Sequence, residues 1–119
     1  MSISVPRTFA DVEVSFSWSP QQTTQINYSN GAMVTAASAK TNTTLTFTAS
    51  TRTMDNGDII PTSLTLVEYR WDFGDGVVGF GATTTHRYII PNYNCQCLLT
   101  ITDSRGNLWK AVRPMYLTT

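Results

Sequence analysis

The stretch Tyr69-Arg70-Trp71-Asp72-Phe73-Gly74-Asp75-Gly76 decides how the chain is read. Tyr69, Trp71 and Phe73 alternate with Arg70 and Asp72, so an extended backbone puts three rings on one face and two charges on the other. This predicts a half-buried strand at the centre of a core, because aromatic side chains bury much area and suit the pleated surface. Gly74-Asp75-Gly76 ends the strand, since Asp-Gly beside a second Gly supplies the positive φ angles of a tight turn.

The same two-residue period runs outward in both directions. Val12, Val14, Phe16 and Trp18 alternate with Glu13, Ser15 and Ser17 before Ser19-Pro20, and Leu45, Phe47 and Ala49 share a face within residues 43–49. Between them, an extended piece at residues 26–28 and another at 32–35 flank Ser29-Asn30-Gly31, which predicts a hairpin. Residues 51–63 carry Asp55-Asn56-Gly57-Asp58 and Pro61 and read as a loop. Past the central turn, Val77-Val78-Gly79-Phe80-Gly81 is apolar but broken by glycine, which predicts an edge strand, a bulge or an exposed hydrophobic loop. Val77, Val78 and Phe80 are therefore candidate contacts. Residues 83–90 read as a further strand. Residues 95–103 then place Cys95, Cys97, Leu99 and Ile101 on one face, and after a polar turn residues 108–117 close the fold, with Pro114 arguing for an edge position. The total is seven or eight strands, with no helical period and no repeat.

A chain of 119 residues fits one domain. Lys plus Arg and Asp plus Glu number 8 each, so the chain has no electrostatic footprint for nucleic acid or an anionic membrane. Charged residues make up 13%, against about a quarter in typical domains. A neutral chain sparing in charge is poorly equipped to stay apart from its neighbours, which favours a subunit within an assembly. Residues 1–7 lack an apolar run of signal-peptide length, and no stretch is long enough to span a bilayer, so the expected place of synthesis is a cytoplasm without export.

Trp71-Asp72-Phe73-Gly74-Asp75-Gly76 resembles the signature of the PKD (polycystic kidney disease) domain family. Leu45-Thr46-Phe47-Thr48-Ala49-Ser50, Thr85-His86-Arg87-Tyr88 and Leu99-Thr100-Ile101-Thr102-Asp103-Ser104-Arg105-Gly106 resemble further segments in the same order, over residues 41–117. The resemblance implies an all-β, immunoglobulin-like (PKD-type) antiparallel β-sandwich used for binding or assembly. It makes Trp71, Asp72, Phe73, Gly74, Asp75, Gly76, His86, Tyr88 and Asp103 a fold signature. Cys95 stands where the family has an aromatic Tyr and Cys97 where it has Val, and the Gly that precedes that Tyr is missing. The expected organisation is an N-terminal extended arm or extra strand over 1–20 and the sandwich over 21–119.

Chemistry is thinly represented. Adjacent same-face positions on a strand lie about 6.5 to 7 Å apart, at or past the reach of a disulfide, so Cys95 and Cys97 read as free core thiols. Asp72, Asp75 and Asp103 stand at strand ends and could gather around calcium, but turn formation accounts for them more simply. One His, no phosphate loop and no framed carboxylate pair leave nothing for acid–base or nucleophilic work, so neither enzyme activity nor a cofactor is expected. His86 matches the family's structural position.

These readings converge on a non-enzymatic structural protein acting through protein–protein contacts, best suited to a bacteriophage virion component (tail or capsid decoration) made in the host cytoplasm. Its partners would be copies of itself, as a homo-oligomer, and other assembly proteins, reached through Val12, Val14, Phe16 and Trp18 of the arm and through Val77, Val78 and Phe80. The alternative is an extracellular PKD-type binding or adhesion module that touches carbohydrate or protein, with Trp18, Tyr28, Tyr93 and Trp109 as rings to stack on sugars.

Overall fold

The period-two segments become strands in the computed structural model, which describes residues 11–54, 65–90 and 94–119. Nine strands are found there: β1 (Asp11–Ser19), β2 (Gln22–Asn27), β3 (Met33–Lys40), β4 (Leu45–Met54), β5 (Leu66–Asp72), β6 (Val78–Phe80), β7 (Thr83–His86), β8 (Asn94–Asp103) and β9 (Leu108–Thr118). They make a three-stranded sheet, β1-β4-β7, and a six-stranded sheet, β2-β3-β9-β8-β5-β6. All pairings are antiparallel except β3 with β9. The domain is an all-β immunoglobulin-like sandwich.

Phe47 sits at the centre. Its ring lies 5.1 Å from Phe73, 5.7 Å from Trp71, 6.2 Å from Trp18 and 6.4 Å from Phe16, so rings of both sheets meet across one layer. Leu45, Leu99, Ile101, Met115 and Cys97 complete the core with no exposed surface. Burial of this kind is the main driving term for the fold. The alternation of Tyr69, Trp71 and Phe73 at the end of β5 therefore puts these rings in or against the core, as it predicts.

Two glycines are there because their neighbours leave no room. Gly74 has φ +87°, and a Cβ on it would come within 2.3 Å of the Gln96 carbonyl oxygen. Gly79 pairs with Trp71 on the inward side of β6, where a Cβ would meet the Phe73 ring at 3.0 Å.

Pro114 decides where two strands part. The Thr118 carbonyl faces β3 and accepts the Thr41 N–H, so by alternation the backbone groups of Tyr116 and position 114 face β3 as well. A proline there has no N–H to offer, and the parallel ladder spans only Ser38↔Tyr116 to Lys40↔Thr118. The earlier part of β3 pairs with β2 alone.

Two expectations are revised. The strand expected over 83–90 stops at His86, because Tyr88 turns into the core and its hydroxyl donates to the Phe73 carbonyl at 2.7 Å. The loop expected from residue 51 begins later, since β4 runs to Met54. Of the segment 1–20, residues 1–10 lie outside the described residues and Asp11–Ser19 forms β1, paired along its whole length with β4.

Candidate functional site

The signature turn at one end of the sandwich is held by its own side chains. Asp72 Oδ1 accepts the Gly74 N–H and Asp75 Oδ1 accepts the Val77 N–H, both at 3.1 Å. The second oxygen of Asp75 lies 2.6 Å from His86 Nε2. The His86 ring stacks on Phe73 at 4.1 Å and meets Tyr88 edge-on at 4.5 Å. One face, the perpendicular contact with Tyr88 and one nitrogen thus hold β7 to the turn. Beside the pair is a cavity of about 200 Å³, lined by Val77, Arg87, Ile89, Ile90 and Leu117 among others.

Beneath it, Cys97 is buried and Cys95 half-buried, both as free thiols. Burial pushes Cys95 up to about 11 and Cys97 up to about 12, and it raises Tyr88 beyond its usual range. The thiolate is the nucleophilic form, so burial lowers the reactivity of both cysteines at neutral pH.

Asp103 lies at the opposite end, paired with Leu66, whereas Asp72 pairs with Leu98. The carboxylates weighed for calcium are therefore not brought together, and the described residues contain no cluster suited to a metal ion. Asp103 builds the β8–β9 turn. Its Oδ1 accepts the N–H groups of Arg105 at 2.8 Å and Asn107 at 3.0 Å, and its Oδ2 accepts Trp109 Nε1 at 2.9 Å. Burial alone would raise this carboxyl, but the hydrogen bonds outweigh it and hold the group below the usual carboxylate range.

The remaining candidate is the outward face of the larger sheet. Register sets Lys110, Thr100, Arg70 and Phe80 abreast on β9, β8, β5 and β6. One step along the strands, Val112, Leu98, Asp72 and Val78 form the next row. Phe80 is 60% exposed, Leu108 56% and Val112 54%. Exposed apolar residues gathered on one face mark contact surfaces in soluble proteins.

A family model described as "PKD domain" matches residues 31–116, most of the chain, and includes the Trp71 to Gly76 turn, His86, Tyr88 and Asp103. The chain belongs to the PKD domain family.

No curated protein matches the sequence of this PKD domain. Among solved structures it resembles a carbohydrate-binding module, from work on promiscuous specificity in the β-sandwich superfamily. The two are 24% identical with a TM-score of 0.65, over 96% of this chain and 36% of that one. The chain thus spans about a third of that protein's length, and the likeness is one of fold. A PKD domain of the Vibrio cholerae metalloprotease PrtV is 23% identical with a TM-score of 0.47, over 62% of this chain and 83% of that one.

Several side chains expected to make contacts from this PKD domain are turned inward. Val12, Phe16 and Trp18 are buried and Val14 packs against the core, because β1 pairs with β4 and presents its apolar side to the larger sheet. Trp18 is only 3% exposed, donates to the Ser38 carbonyl at 3.1 Å and lies 4.5 Å below the Arg113 guanidinium. Trp109 is half-buried against Asp103. Of the rings considered for sugars, Tyr28 is exposed, and Tyr93 lies outside the described residues. Val77, Val78 and Phe80 are all exposed. Sequence reasoning missed Leu98, Leu108 and Val112, although each falls on the polar-facing parity of its strand and could have been noticed as an apolar residue out of place.

Proposed function

We propose that this PKD domain works without catalysis, by protein–protein contact through the outward face of its larger sheet. The observation that carries the reading is the row Val112, Leu98, Asp72 and Val78, apolar at three of its four positions and flanked by Phe80 and Leu108, on a strand face that would otherwise be polar. Interface cores are poor in charge, as is this chain. Reactive chemistry has no support: His86 is tied to Asp75 and stacked on Phe73, and the thiols are held protonated.

The setting we favour is a subunit of an ordered assembly, with a bacteriophage tail or capsid decoration protein as its specific form. The neutral, charge-poor composition supports it. A second reading is a PKD-type module of a secreted protein, favoured by the family and by the likeness to a carbohydrate-binding module. Its carbohydrate form is weakened by the burial of Trp18 and the engagement of Trp109.

Two measurements separate these readings. Flanking DNA that encodes virion proteins supports the assembly, whereas an in-frame catalytic domain or an upstream signal peptide overturns the virion setting. Affinity electrophoresis in soluble polysaccharides should leave the domain's mobility unchanged. Retardation that Tyr28→Ala abolishes would transfer the function to carbohydrate binding.

A further inference from the structure

The outward face of the larger sheet is complementary to itself. Consider a two-fold axis lying across the strands, midway between the Lys110–Phe80 row and the Val112–Val78 row. Turning a second copy about it sets each row against the other. Arg70 of one copy then meets Asp72 of its mate, and the symmetry makes this contact twice. In the neighbouring columns Phe80 opposes Val78 and Leu98 opposes Thr100. On β9, Val112 opposes the aliphatic stem of Lys110. One step further out Leu108, which pairs with Thr102, falls opposite Pro114, which pairs with Gln96, so apolar again meets apolar. The alternative axis, along the strands, sets Lys110 against Phe80 and leaves Arg70 without an opposing carboxylate.

We propose that the occupant of this face is a second copy of the same chain, packed sheet on sheet as an isologous dimer. The inference rests on the contact reading above and names its partner. Stacked sheets pack about 10 Å apart with strands within about 30° of each other, a geometry that two copies about this axis satisfy. The charges decide between occupants. Two cations, Arg70 and Lys110, and two anions, Glu68 and Asp72, stand on the face, so it offers no field for nucleic acid, while a reversed copy sets Arg70 against Asp72 at both symmetric positions. Phe80 is the one aromatic ring in these rows, and a single ring is a poor platform for a sugar chain.

Sedimentation equilibrium from micromolar to millimolar concentration tests the proposal. The wild-type chain should show a reversible monomer–dimer equilibrium. Phe80→Glu and Leu108→Glu should each raise the dissociation constant by about tenfold or more, since each sets a carboxylate into an apolar contact. Ile89→Glu, beside the end cavity, and Met33→Glu, on the β2–β3 hairpin, should leave it unchanged. Arg70→Asp or Asp72→Arg alone opposes like charges and should weaken the dimer, whereas an equimolar mixture of the two chains should recover it. Melting curves establish that each variant is folded, and if Asp72→Arg is not, the two glutamate variants decide.

A wild-type chain that stays monomeric throughout overturns the dimer, as does loss of association in Ile89→Glu or Met33→Glu with none in Phe80→Glu and Leu108→Glu. Either result leaves the contact reading to a different partner. Polysaccharide binding lost in Phe80→Glu and Leu108→Glu would instead end both.

Discussion

The two faces of β5 carry different kinds of information. Inward, Trp71 and, just past the strand, Phe73 are held between two layers, and Trp71 Nε1 donates to the Gly81 carbonyl at 2.7 Å. Outward, Arg70 and Asp72 look onto a surface where apolar side chains stand among charges. The inner face specifies the fold and tolerates little. The outer face adds little to folding, so its composition is free to serve contact. Substitutions on either side should separate these roles.

Trp71→Ala attacks the inner face most directly. It removes a fully buried indole and its hydrogen bond, and we expect a loss of roughly 4 kcal/mol, read by chemical denaturation. Gly74→Ala should cost roughly 3 kcal/mol, because the new Cβ meets a backbone carbonyl at 2.3 Å in a left-handed conformation.

Asp103→Asn should cost roughly 2 kcal/mol at neutral pH, since an amide cannot accept from all three donors that the carboxylate satisfies. Its sign with pH follows from the lowered folded-state value. The unfolded chain takes up the proton first as pH falls, so the stability that Asp103 contributes is present above about pH 4 and is lost below it. The gap between wild type and Asp103→Asn should therefore narrow in acid. A gap that stays constant from neutral pH to pH 2 would contradict this role.

On the outer face, Phe80→Glu should change unfolding free energy by no more than about 0.5 kcal/mol while weakening association. A large loss of stability there would erase the contrast between the faces.

Much of the inner face was legible in the sequence because alternation within a strand is local. Trp71, Phe73, Leu45, Phe47, Leu99 and Ile101 each fall on the apolar parity of their own segment, and the Asp-Gly turn marks where β5 ends. The alternation of Val12, Phe16 and Trp18 was equally plain, but which layer covers it depends on pairing with residues 46–54, which no local pattern reveals. The pairing of Asp75 with His86 likewise depends on the packing of β7 against the turn. The outer rows were the least legible. Leu98 and Val112 are unremarkable in their own segments and become a band with Val78 only through the register of four strands.

The most direct test of the dimer proposed for the outer face is to record backbone amide chemical shifts of the chain as its concentration is raised. The account predicts progressive shifts at Leu98, Thr100, Lys110 and Val112 and at Arg70 and Phe80 beside them, with the hairpin at Tyr28 to Met33 and the cavity rim at Ile89 and Ile90 unchanged. Shifts confined to the hairpin or the cavity rim, or none at any concentration, would contradict it.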